Sequence, residues 1–211
     1  MLLAKGITKD RSTGPQTAKF NTIAESRLAR NSEGELPEVQ GWRRIFSRVG
    51  LKLTQYRCAS ESLLRRFRKE KSLPQLHPMM DICNSISLAF AIPVAVFDVS
   101  SIAEYIEVRY AFDSELYLTF SDETGNPEPR EVIFADSAGR AHARRWTNRQ
   151  SGYSAVRDET TTVLIVAEAV HSSAHEDVQK LTAALANEIQ LIWPATPKIG
   201  ILNKFSPRFE F

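Results

Sequence analysis

The stretch TTVLIVAEAV, residues 161–170, constrains this chain most. A β-branched apolar run of this kind is a strand signal, and it is the strongest in the sequence. It also poses a problem. Glu168 sits at the end of the run, and a carboxylate taken out of water needs a partner. Two readings stay open: a structural pair with an arginine of the preceding segment, or a carboxylate facing a polar pocket.

The elements around that strand are read from their periodicity. Residues 15–30 carry Phe20, Ile23, Ala24 and Leu28 at helical spacing behind Pro15. Residues 38–48 place Val39, Trp42, Ile45 and Phe46 on one helical face, and Gly50 closes that helix. A third helix is expected to start at Ser60 as N-cap, with Leu63, Leu64 and Phe67 inward. MMDICNSISLAFAIP reads as a buried helix ended by Pro93. VAVFDV, YIEVRYA, LYLTF and EVIFAD follow as strands, and RAHARRW is partly so. HEDVQKLTAALANEIQLIW is an amphipathic helix, and the remainder is an irregular tail. Helices first, antiparallel strands next and a closing helix last give an α+β class. The expected organisation is an N-terminal strand and helix extension over 1–35, a main domain over 36–194 and a C-terminal tail over 195–211.

Several chemistries find no support. There is no phosphate-binding glycine loop, no dinucleotide fingerprint and no nucleophile elbow. The two cysteines, Cys58 and Cys83, are read as reduced thiols, Cys83 as core packing. The four histidines are scattered, so neither a metal site nor a cofactor is expected. No apolar run approaches the roughly 20 residues of a membrane helix, and a cytoplasmic location is expected. Net charge is only +2, so attraction for nucleic acid must come from local patches. Arg43, Arg44, Arg48 and Lys52 form one basic set, and Arg65, Arg66, Arg68, Lys69 and Lys71 another.

The candidate binding segment is ARRWTNRQS, residues 143–151. Arg145 and Arg149 offer planar forks for phosphate or carboxylate. Trp146 offers a ring for stacking, and Asn148 and Gln150 offer hydrogen-bonding edges. The competing reading pairs Arg145 and Arg149 with Glu168, Asp136 or Asp158 in a structural loop. Asp81 and Asn84, within one turn of an apolar helix, are further candidates.

From GWRRIFSRVG through SESLLRR, LPQLHPMMDICN, IPVAVFD, ADSAG and RRWTNRQS, the chain resembles freestanding B3/4 domain proteins. Those proteins are relatives of the B3/B4 editing domain in the phenylalanyl-tRNA synthetase beta subunit. The resemblance covers about residues 36–170. It implies a mixed domain whose antiparallel sheet and helices form a pocket for the aminoacylated end of tRNA, where water hydrolyses a mischarged ester without metal or protein nucleophile. Residue by residue it matches Asp81, Asn84 and Glu168. Cys83 stands where the synthetase has Thr, and Ala95 where it has His. The implied function is a tRNA-related module that binds aminoacyl-tRNA and hydrolyses a mischarged ester in trans. Glu168 and Asn84 would be catalytic, with Asp81, Arg145, Trp146, Asn148, Arg149 and Gln150 binding the ligand. The alternative is non-catalytic binding of a small anionic metabolite in the same pocket. A third reading, a structural partner of another protein, rests only on the tail residues Phe205, Phe209 and Phe211.

Overall fold

The computed structural model describes residues 1–211. In chain order the elements are β1 (Leu2–Lys5), α1 (Gly14–Leu28), α2 (Pro37–Arg48), α3 (Ala59–Glu70), α4 (Pro78–Phe90) and β2 (Val94–Asp98). Next come β3 (Ile106–Tyr110), β4 (Tyr117–Leu118), β5 (Thr124–Gly125), β6 (Val132–Asp136), β7 (Ala141–Arg144) and β8 (Arg149–Gln150). β9 (Thr162–Ala167), α5 (Ala174–Ile192) and β10 (Lys198–Ile199) complete the chain. Short 3₁₀ turns cover Glu33–Glu35 and Val99–Ser101. The α+β class follows directly.

Two antiparallel sheets dominate, ordered β10-β1-β9-β2 and β3-β6-β7-β8. The apolar run of β9 is explained by its position between layers. Side chains alternate along a strand. Val163 and Ile165 enter the main core with Leu2, Val96, Ile82 of α4 and Leu185 of α5. Leu164 and Val166 point the other way, toward Phe97, Phe134 and Ala143. With helices on one face and the second sheet on the other, β9 needs no polar face.

The alternation also places Glu168. It continues the parity of Leu164 and Val166, so it falls between the two sheets. β1 pairs with β9 inside the first sheet, Leu3 opposite Leu164. The last short strand, β10, covers the other edge of β1.

The tail read as irregular contributes β10, LYLTF pairs only over Tyr117–Leu118, and two helix starts differ from the sequence reading. α3 starts at Ala59 with Cys58 as its cap residue, and Ser60 is fully buried in the first turn. The cause is tertiary: Ala59 N–H donates to the Thr147 carbonyl at 2.8 Å, which ties the helix start to the β7–β8 loop. The other is α2, which begins at Pro37, whose fixed φ suits a first helical position.

Candidate functional site

A cavity of about 60 Å³, open to solvent on one side, lies between the sheets. The first sheet and its approach supply Pro93, Val94, Ala95, Val166 and Glu168. The second supplies Phe134 and Ala143, and the loop and strand that follow supply Trp146, Thr147, Asn148, Arg149 and Gln150. Ala59 closes the α3 side. The lining is mostly apolar with a few polar groups, the usual character of a small-molecule site.

Trp146 and Glu168 form its inner polar point. Trp146 Nε1–H donates to Glu168 Oε1 at 2.9 Å. Burial pushes the Glu168 carboxyl up to about 7, and the Trp146 hydrogen bond opposes that rise only in part. The other carboxylate oxygen has no partner within the chain.

The β7–β8 loop is held in an uncommon conformation. Arg145 and Trp146 both have positive φ, at 49° and 57°. For residues with a Cβ this costs roughly 1–2 kcal/mol each. The surroundings offset it. Arg145 Nε lies 3.0 Å from Glu131, and its guanidinium stacks 4.5 Å from the Tyr56 ring centre. Trp146 N–H donates to the Val132 carbonyl at 2.7 Å, and its ring meets Trp42 edge-on at 5.3 Å.

The candidate residues divide accordingly. Glu168, Trp146, Asn148, Arg149 and Gln150 come together at the cavity. Two of their amides are committed to scaffold: Asn148 Nδ2–H donates to the Arg57 carbonyl at 2.7 Å, and Gln150 Nε2–H to the Val96 carbonyl at 2.6 Å. Arg149 is exposed at the rim and has no carboxylate partner. Arg145 is not part of the lining.

Asp81 and Asn84 stand apart from the cavity. Both lie half-buried on α4, whose Ile82 and Cys83 belong to the core shared with α5. Asp81 accepts from the Leu76 N–H at 2.9 Å and so holds the turn before its helix.

The expected arginine partners are corrected. Glu168 pairs with Trp146, because Arg144 and Arg145 are both drawn to Glu131 at the start of β6. Asp136 bonds His142 at 3.1 Å, and Asp158 bonds Lys9 at 2.7 Å. The arginines of the basic sets are partly neutralised: Arg43 pairs with Glu61, Arg65 and Arg68 with Glu33, and Arg66 with Glu70. Arg44, Arg48, Lys52, Lys69 and Lys71 remain exposed without an ion pair. Burial disfavours both thiolates, pushing Cys58 up to about 11 and Cys83 higher still.

Sequence reading missed Glu131 and Thr147. Glu131 organises the arginine pair from the first residue of the EVIFAD run, whose pattern marks the strand but not the partners of its leading carboxylate. No helix of the chain is long and apolar enough to cross a membrane.

Comparison with curated proteins finds no match. Among solved structures, an N-terminal fragment of the phenylalanyl-tRNA synthetase beta subunit from Pyrococcus horikoshii is similar at 14% identity and a TM-score of 0.45. The similarity covers 57% of this chain and 41% of that one, so the chain spans less than half of that fragment. A family model described as the B3/4 domain matches residues 41–187. That match runs over well more than half of the chain, and the protein belongs to the B3/4 domain family.

Proposed function

We propose that this protein binds the aminoacylated 3′ end of tRNA at the cavity between its sheets and hydrolyses a mischarged ester in trans. Family membership supports the substrate class. One observation carries the chemistry: a half-buried carboxyl at the inner end of the cavity, with one oxygen held by Trp146 and the other making no hydrogen bond, and with its acidity pulled toward neutrality by desolvation.

A general base works best when its pKa lies near the working pH. The free oxygen of Glu168 accepts a proton from water as the water oxygen attacks the ester carbonyl carbon. The proton then passes to the departing ribose oxygen, releasing the free amino acid and tRNA. The aminoacyl ester is already activated, so positioning and a fixed electrostatic environment supply much of the remaining rate. The apolar walls from Ala95, Val166, Phe134 and Ala143 receive the amino-acid side chain. Arg149 at the rim meets the terminal phosphate. Asn148 and Gln150 act by holding the wall in place.

The alternative, a small anionic metabolite, has less support. Arg145 is already neutralised by Glu131, and the inner end of the cavity carries a carboxyl.

The test is ester loss across a panel of correctly charged and mischarged aminoacyl-tRNAs, with Glu168→Gln beside the wild type. Rapid loss of one mischarged species by the wild type alone supports the reading. Stability of every ester, together with no tRNA binding at low salt, would sink it.

A further inference from the structure

Three ligand-type side chains converge outside the cavity. Glu38 lies in the first turn of α2, His171 just past β9 and Asp177 in the first turn of α5. One ligand atom from each lies within 4.8 Å of the others. His171 Nε2 and Asp177 Oδ2 are 2.9 Å apart, and Ser173 Oγ–H donates to the same oxygen at 2.6 Å.

A second observation is independent of that proximity. The His171 side chain is only 3% exposed. The Oε2 of Glu38 is enclosed and has no partner. A buried polar atom left unpaired costs about 1–3 kcal/mol, so such atoms are few in native proteins. The Glu38 oxygen is one such atom, and it belongs to the cluster. Arg27 takes the other oxygen of Glu38 at 2.7 Å and exposed Lys180 pairs with Asp177 Oδ1 at 3.8 Å, so Glu38 Oε2 is the ligand oxygen left without a partner.

We propose that Glu38, His171 and Asp177 form a site for a divalent ion of the zinc type. One imidazole nitrogen and two carboxylate oxygens are a ligand set that Zn²⁺ takes, with a fourth position left for water. Small side-chain rotations bring the donors to bonding distance. The proton balance closes within the ring. The ion takes the Nε2 lone pair, the proton there moves to Nδ1, and the imidazole stays neutral. Ser173 keeps its hydrogen bond to Asp177 and orients that ligand.

The site braces the cavity from behind. The backbone at Val170 and His171 lies so close to α2 that a Cβ on Gly41 would sit 3.2 Å from the His171 nitrogen. The next residue, Trp42, meets Trp146. His171 follows Glu168 by three residues. Joining α2, the segment after β9 and α5 therefore stiffens the segment that carries Glu168. The inference does not depend on the proposed reaction.

The test is a calorimetric titration of the chelator-stripped full chain with Zn²⁺, followed by Co²⁺ as a spectroscopic probe. One equivalent should bind, raise the melting temperature and, for Co²⁺, give visible absorption bands of a low-coordinate site. His171→Ala and Glu38→Gln should each weaken binding at least ~10-fold. His175→Ala removes an exposed histidine of the same helix turn and should leave binding unchanged. Asp177→Asn serves as a further ligand variant if circular dichroism shows that either of the first two fails to fold. No stoichiometric binding, or binding that survives the ligand variants or disappears with His175→Ala, overturns the proposal.

Discussion

Trp146 donates its indole N–H to Glu168 across 2.9 Å, joining the β7–β8 loop of one sheet to the end of β9 in the other. The bond is made possible by backbone that L-residues seldom adopt, at Arg145 and Trp146 together. Strain of this kind persists where the surroundings over-determine it. Here the Glu131 ion pairs, the Tyr56 stack and the Trp42 edge contact do so. The loop is thus braced from three sides, and the carboxyl it holds is the group on which the pH dependence of stability turns.

Glu168 should make stability depend on pH in an unusual direction. Its folded-state pKa is raised from an ordinary 4.5 to about 7. The native state then holds a proton that the unfolded chain releases. The contribution is fully present below about pH 4.5, is lost as pH rises toward 7 and is flat above that. Complete expression of the shift amounts to on the order of 3 kcal/mol. Glu168→Gln keeps the acceptor for Trp146 and removes the ionisation. Denaturant melts should show the variant gaining on the wild type between pH 5 and pH 8. A difference constant across that range would refute the assignment.

Trp146→Phe keeps the ring against Trp42 and deletes the one donor to Glu168. Loss of that bond to a half-buried carboxyl should destabilise the protein by about 1–3 kcal/mol at pH 8. The penalty should shrink at pH 5, where the carboxyl is neutral. The Glu168 pKa should rise further, because the hydrogen bond that lowers it is gone. Carboxyl-carbon NMR titration of both proteins checks the direction of that shift.

The layers were largely legible in the sequence, and the partners were not. The β-branched run of β9, the buried α4 and the amphipathic α5 each carry their own period, which burial on one face or two imposes. Glu168 stood out because a carboxylate breaks an apolar run. Its partner did not, because residues 22 positions apart meet only once two sheets are stacked. Arginine was the natural guess on charge alone. Glu131 claims both nearby arginines, and the strand pattern of EVIFAD that it opens does not reveal which side chains it will meet. Asp81 and Asn84 share a helix turn as expected, but which way α4 presents them is decided by α1 and α5 packing against it. The Glu38, His171 and Asp177 cluster was hidden for the same reason, since its first member is separated from the other two by most of the domain.

Glu131 should therefore matter more to stability than its turn position suggests. Its carboxylate is 6% exposed and meets Arg144 at 2.9 Å and Arg145 at 3.0 Å. It also accepts from the Glu128 N–H at 2.9 Å. Glu131→Gln leaves the poorly exposed Arg144 without its counter-charge and Arg145 with only the exposed Glu128, 3.7 Å away. Breaking one side of such a buried set typically costs about 3–5 kcal/mol. The Arg145–Trp146 turn should loosen with it. A melt beside the wild type measures the loss, and Trp fluorescence reports whether Trp146 leaves its contact with Trp42. A stability change within 0.5 kcal/mol, the range of ordinary surface substitutions, would show that the arginines do not need Glu131.

Arg149→Ala should separate ligand contact from scaffold. The side chain is exposed at the cavity rim and makes no ion pair, so its removal should leave melting unchanged. If it meets a terminal phosphate, tRNA binding weakens for every amino acid attached, and the slope of log K against log salt falls by about 1. Arg145→Ala breaks the Glu131 pair and the Tyr56 stack, so it should lower melting and leave the salt slope as it was. Melting curves and binding isotherms at several salt concentrations resolve the two effects. An unchanged slope in Arg149→Ala, in a protein that does bind tRNA, would move the phosphate contact to the exposed Arg44, Arg48 and Lys52.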